Sequence, residues 1–262
     1  MQSFKNKTVL ITGASSGIGQ AFATRFAELG ANLILVARRQ AVMEQLATQL
    51  KQQYAIEVTV LPIDLSKPES SEALYQTVKQ RGLSVDTLVN NAGFGVYGAL
   101  DKTDLQRNQE QICVNILAVS SLTQLFLADM VKNHAGNIIN IASIAGFQPV
   151  SYMSVYAATK AFVLSFTEAL WGEYRQQGIR VLAVCPGPVA TEFFQAANMA
   201  EDVIGGGKET SISVVDKALR ALERGKLSVV TGGPKNFILS QLHRLISRAF
   251  VVKTGEKMMR PK

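Results

Sequence analysis

The chain has 262 residues, enough for one α/β domain with a buried core or two small ones, and 47% of them are apolar. It opens on a polar, basic lead and an apolar run broken at Thr12 and Gly13, with no small-residue cleavage site, so no export signal is expected; nor does any run reach the roughly 18 uninterrupted apolar residues of a spanning helix. The net charge is +7, but residues 235–262 set seven basic residues against Glu256 and hold six of those charges, which leaves the main body nearly neutral and excludes a nucleic-acid surface there.

In chain order, short β-branched runs predict strands at 8–12 (TVLIT), 32–37 (NLILVA), 57–62 (EVTVLP), 87–90 (TLVN), 137–141 (NIINI), 180–184 (RVLAV) and 227–231 (LSVVT). Their near-continuous apolar character suits strands covered on both faces. Helical patterns lie between them, such as 17–30, closed by Gly30, and 155–178, closed by Gly178. Strands alternating with helices predict an α/β fold: a doubly wound (Rossmann) parallel seven-stranded sheet with helices on both faces. With no repeat and no Pro- or Ser-rich linker, the expected division is a single domain over 1–234 and a basic amphipathic extension over 235–262. The loosest stretch is 195–213, which contains Gly205, Gly206 and Gly207.

The first strand runs into Thr12-Gly13-Ala14-Ser15-Ser16-Gly17-Ile18-Gly19 and then a helix. Glycines at such a turn let the backbone approach a pyrophosphate, and the helix's free amides and positive end hold the anion. An acid at the end of the second strand would bind a ribose 2′-hydroxyl and select NAD; Arg38 and Arg39 stand there instead, suited to the extra phosphate of NADP(H), with Arg38 the better placed. Tyr156 and Lys160, at i and i+4, share a helix face, where a fixed cation would favour the phenolate and bring the phenol toward neutral pH. Ser143 follows the fifth strand, and its hydroxyl is expected in the ligand crevice, where it could hold a substrate oxygen. Cys113 and Cys185 sit in apolar contexts as buried reduced thiols, and His134 and His243 read as surface residues, so no metal is expected.

With Gly13, Ser143, Tyr156 and Lys160 in this order, the chain resembles the short-chain dehydrogenase/reductase family over roughly residues 5–231. Asp64-Leu65, Asn90-Asn91-Ala92-Gly93, Asn115, Pro186-Gly187, Val189 and Thr191 extend the match. The resemblance implies that Asp64 contacts the adenine amino group, Asn90 helps to anchor the cofactor, Lys160 bridges to the nicotinamide ribose and Thr191 holds the carboxamide. It implies catalysis by Asn115, Ser143, Tyr156 and Lys160, with Asn115 seating a water that links Lys160 to solvent, and assembly into a homodimer or homotetramer. The expected activity is therefore an NADPH-dependent oxidoreductase moving a hydride to or from a ketone or alcohol, with Tyr156 as general acid and base. The alternative is a regulatory protein that senses NADP(H) without turnover.

Apolar residues crowd the expected pocket loops: Phe94, Val96 and Tyr97; 144–150; Phe193, Phe194 and Met199. They predict a lipophilic carbonyl or alcohol substrate such as a 3-oxoacyl or steroid-like compound, with ordinary core packing as the competing explanation for each ring. Residues 236–252 read as one basic amphipathic helix with Phe237, Ile238, Leu242, Leu245, Ile246 and Phe250 on its apolar face. It either covers the cleft or a neighbouring subunit, the favoured reading, or lies on an anionic membrane. The expected location is cytoplasmic, with membrane-peripheral contact as the variant.

Overall fold

The computed structural model describes residues 4–199, 209–242 and 246–261. Seven parallel strands form one sheet: β1 (Thr8–Thr12), β2 (Asn32–Ala37), β3 (Val58–Pro62), β4 (Thr87–Asn90), β5 (Gly136–Ile141), β6 (Ile179–Cys185) and β7 (Ser228–Val230). Their order is β3-β2-β1-β4-β5-β6-β7, so the chain winds outward from β1 to one edge and returns to build the other. The crevice beside β1 and β4, at the strands' carboxyl ends, is where such a reversal opens a ligand site.

The connecting helices are α1 (Gly17–Glu28), α2 (Gln40–Tyr54), α3 (Ser70–Gln80), α4 (Leu105–Ile112), α5 (Val119–Lys132), α6 (Ser154–Tyr174), α7 (Phe193–Ala196), α8 (Ser211–Glu223), α9 (Pro234–Leu242) and α10 (Arg248–Met259). Alternation along each strand feeds two cores. Val9, Ile11, Leu33 and Leu35 pack against Phe22 and Phe26 of α1, Met43 of α2 and Val215 of α8. Leu10, Ile34 and Leu88 face the other way, against Leu74 of α3 and Leu122 and Phe126 of α5. Every predicted strand is present within one residue at each end.

Three expectations need correction. Between α4 and α5 the helix continues as a π-helical segment, Cys113–Ala118, so that Leu105–Lys132 forms one apolar helix long enough to cross a membrane by length and composition. Half of its most apolar window is buried in the protein, as a core helix of this fold would be. Second, 236–252 is not one helix: Ser247, in an extended conformation, accepts the Phe250 amide at 3.3 Å and starts α10 afresh. Third, the expected apolar face does not turn inward. Phe237, Ile238 and Phe250 are 57%, 60% and 60% exposed, and Ser240 and Val251 are the buried residues of α9 and α10. Leu245 and His243, like Gly205, Gly206 and Gly207, lie outside the described residues.

Candidate active site

The first turn, at the carboxyl end of β1, is shaped by what it must let pass. Gly13 has φ +67°, and a Cβ there would stand 2.8 Å from Nδ2 of Asn91 and 2.9 Å from the Cα of Ala92. Gly19 is buried one helical turn later, where a Cβ would collide with the carbonyl oxygen of Gly13. Asn91 fastens β4 to this turn: its amide nitrogen Nδ2 donates to the Thr12 carbonyl at 2.9 Å and its backbone N–H to Thr12 Oγ1 at 3.0 Å. Ser16 precedes α1 without capping it through its side chain, and no acid lies in the first turn, which leaves the amino terminus of the helix available to an anion.

The cavity that begins at this turn has a volume of about 630 Å³ and runs over the carboxyl ends of the central strands. Ser15, Ser16, Gly17 and Ile18 line one end with Arg38, Arg39, Asp64 and Leu65. Ala92, Gly93, Pro186, Gly187, Val189 and Thr191 line its middle, and Ser143, Tyr156 and Lys160 its floor. Arg39 is already engaged: it donates to Ser15 Oγ at 3.2 Å and pairs with Glu192 at 3.0 Å. Asp64 stays ionised, because although burial opposes its charge, the Ser66 backbone and hydroxyl and the charge of Arg38 hold it below the usual carboxylate range. A cradle of bare backbone, an uncapped helix end and two guanidiniums fits a dinucleotide carrying an additional phosphate.

Asn90 is not part of this lining, contrary to expectation. Its Nδ2 donates to Thr123 Oγ1 and Asn140 Oδ1, both at 2.9 Å, and Asn140 Nδ2 donates to Thr167 Oγ1 at 2.9 Å. This buried chain of polar groups joins β4, β5, α5 and α6 behind the cleft.

Asn115 sits in the π-helical segment, fully buried. Its Nδ2 donates to the Phe94 carbonyl and Thr159 Oγ1, each at 3.0 Å, while its Oδ1 accepts the Phe94 amide at 3.2 Å. A Cβ on Gly93 would lie 3.0 Å from that Oδ1 and 3.4 Å from Lys160 Nζ, so the three residues converge. Single-turn π segments often occur at functional sites, and this one left no trace in the hydrophobic period.

Ser143 caps a short 3₁₀ turn, Ile144–Gly146, accepting the Ala145 amide at 3.1 Å, and shares the floor of the cavity with Tyr156. Burial pushes the Tyr156 phenol up to about 12, partly opposed by the Ser143 side chain. Burial also pulls Lys160 down to about 8. The expected lowering of Tyr156 by its neighbour is thus not found. Lys160 Nζ instead donates to the Ile141 carbonyl at 2.7 Å and stands 5.8 Å from the centre of the phenol ring. Desolvation is the largest cause of both shifts.

Past Tyr156 the wall becomes apolar. Phe193 lies against its ring at 5.2 Å, and Val150, Met153 and Phe194 continue the surface. Phe94, also on the lining, is covered by the Arg107 guanidinium at 3.9 Å. Met199 and Tyr97 pack behind as core, and Val96 is not on the lining. Sequence reasoning missed Met153, Arg107 and the far wall, formed by Gly255, Met258 and Met259 of α10. Tyr97 Oη donates to the Met259 carbonyl at 2.8 Å and Tyr152 Oη to Glu256 at 2.9 Å, fastening α10 over the cavity. The only earlier signal was the run of apolar and basic residues, which ended too soon at 252.

The family model for short chain dehydrogenases matches residues 7–202. The chain belongs to that family. Among curated relatives of this dehydrogenase, a very-long-chain 3-oxoacyl-CoA reductase of Bos taurus is 34% identical over 189 residues, 70% of this chain and 59% of the relative, so the chain spans less than two thirds of that protein. An NADP-dependent 3-hydroxy acid dehydrogenase of Schizosaccharomyces pombe is 36% identical over 196 residues, covering 74% of this chain and 75% of its own. Among solved structures, a short-chain dehydrogenase from Sphingobium yanoikuyae in complex with NADPH superposes with a TM-score of 0.82 at 33% identity, over 91% of this chain and 93% of that one.

Proposed function

We propose that this short-chain dehydrogenase is an NADPH-dependent reductase of lipophilic ketones, working reversibly on the corresponding alcohols. The observation that carries the reading is the meeting of Ser143, Tyr156 and Lys160 on the floor of a cavity whose one end is a glycine cradle and whose other is apolar. Bound NADPH supplies the hydride from its nicotinamide. Ser143 and Tyr156 hold the carbonyl oxygen, and the Tyr156 Oη–H bond breaks to protonate it as the alcohol forms. A phenol pushed up to about 12 is protonated at neutral pH, the state a general acid needs. The Lys160 ammonium sits on the same floor to steady the phenolate left behind, and Asn115, between Lys160 and Phe94, is placed to order a water that returns the proton.

Arg38, with Arg39, recognises the 2′-phosphate, a reading supported by the NADPH complex and the NADP-dependent relative. Val150, Met153, Phe193 and the α10 methionines favour a bulky apolar substrate, in keeping with the long-chain acyl relative. Exposed Ile112, Leu117 and Phe162, on the central helices, support a homodimer or homotetramer. The protein acts in the cytoplasm, in peripheral contact with membrane through its C-terminal helices. The deciding test is the loss of NADPH absorbance against ketones graded by length and ring number. Turnover that grows with apolar bulk and vanishes in Tyr156→Phe bears the proposal out. NADPH binding without turnover of any ketone overturns it.

A further inference from the structure

Seven of the fifteen large apolar residues exposed among those described lie between 237 and 258: Phe237, Ile238, Leu239, Leu242, Phe250, Val252 and Met258. Residues 235–262, which contain that stretch, carry six of the seven net positive charges. On α9 the face opposite buried Ser240 presents Ile238 and Leu242 to solvent. On α10 the face opposite buried Val251 presents Lys253, Lys257 and Arg260, flanked by Phe250 and Val252. Glu256, the lone acid of the segment, is taken up by Tyr152 and Arg260.

We infer that α9 and α10 form a docking surface for an anionic lipid bilayer, and that α10 is at once the bilayer-facing element and a wall of the substrate cavity. Exposed aromatic and aliphatic side chains interleaved with lysines match the acyl boundary and the anionic headgroups respectively. Neither helix spans: nine and twelve residues rise roughly 14 and 18 Å against a hydrocarbon core of about 30 Å, so both lie in the interface. Met258 connects the two roles, being 71% exposed and also on the cavity lining. A ketone dissolved in the bilayer therefore meets the mouth of the cleft where α10 meets lipid; this delivery step alone rests on the proposed lipophilic substrate.

Sedimentation of the full chain with vesicles of phosphatidylcholine doped with phosphatidylglycerol tests the docking. Binding is expected at low salt, with little to pure phosphatidylcholine, and weakened by added salt. Lys253→Glu with Lys257→Glu lowers it about tenfold or more, and Phe237→Ser with Ile238→Ser does so independently. Both pairs lie outside the cleft and keep wild-type turnover of a water-soluble ketone, while turnover of a vesicle-dissolved ketone falls with binding. An intact chain that stays in the supernatant, or pairs that sediment as wild type does, overturns the inference. So does a fall in assembly mass in either pair with vesicle binding unchanged, which makes the face a subunit contact. Failure of the reductase reading shows separately, as vesicle binding without turnover of any ketone.

Discussion

Lys160 gives its hydrogen bond to backbone while its ammonium stands over the phenol it accompanies: Nζ donates to the Ile141 carbonyl at 2.7 Å and lies 5.8 Å from the centre of the Tyr156 ring. Each group bears its own desolvation, which holds the phenol protonated and brings the amine down to about 8, still mostly ammonium at neutral pH. The helical spacing brings them to one floor, each with a shift set by its own burial.

Tyr156→Phe removes the transferred proton, leaving the ring's contact with Phe193 in place. Loss of a positioned acid costs about 10²- to 10⁴-fold in kcat. NADPH binding, followed by fluorescence, is expected to change less than about threefold, because the glycine turn and Arg38 are untouched. A variant that loses cofactor binding and turnover alike contradicts this assignment.

Lys160→Met tests the cost of the buried charge. Lys160 falls from its ordinary 10.5 to about 8, so between those values the unfolded chain binds more protons than the folded one. Stability from this group is therefore fully present above pH 10.5 and lost as pH falls toward 8. Below that it is a constant deficit of about 3 kcal/mol at 1.4 kcal/mol per unit. The methionine variant is expected to be more stable than wild type by about 1–3 kcal/mol at neutral pH, after losing the Ile141 bond, and inactive. Denaturant unfolding at pH 7 and pH 10 reads it: the advantage must shrink at the higher pH.

Most of the sheet and the floor of the cleft were legible in the sequence because they depend on short local patterns. Seven apolar runs separated by helical stretches leave little choice of fold, and glycine spacing or a Tyr-x-x-x-Lys step needs only its own residues. What escaped depends on neighbours distant in the chain. Asn90 looks like its neighbour Asn91 in sequence, but strand alternation turns it into the Thr123–Asn140–Thr167 network. The phenol's upward shift comes from burial by Phe193 and the surrounding wall, which no i, i+4 spacing encodes. The apolar stripe at 236–252 misled because hydrophobic periodicity says that a helix has an apolar face, not that protein covers it.

Arg38→Leu tests cofactor choice. Arg39 is tied to Ser15 and Glu192, which leaves Arg38 as the guanidinium less committed to protein partners. A charge-assisted bond to phosphate contributes about 1.5–3 kcal/mol, so KM for NADPH is expected to rise about 10- to 150-fold while NADH kinetics stay within about twofold. Equal losses with both cofactors would place Arg38 outside the phosphate site.

Tyr97→Phe with Tyr152→Phe tests whether α10 closes the cleft. Their hydroxyls donate to the Met259 carbonyl and Glu256, so the pair fastens the last turns of the helix whose Gly255, Met258 and Met259 form the far wall. Each lost bond loosens that attachment, the Met259 bond more than the solvent-screened one to Glu256. Neither hydroxyl is on the cavity lining, and Ser143, Tyr156 and Lys160 keep their partners, so the chemical step is unaffected. A bulky ketone that reaches the far wall is expected to show a KM raised about 3- to 10-fold at constant kcat, and a small ketone that stops at Phe193 no change. An equal rise for both ketones, or a fall in kcat, would mean that α10 supports the floor of the site rather than its mouth.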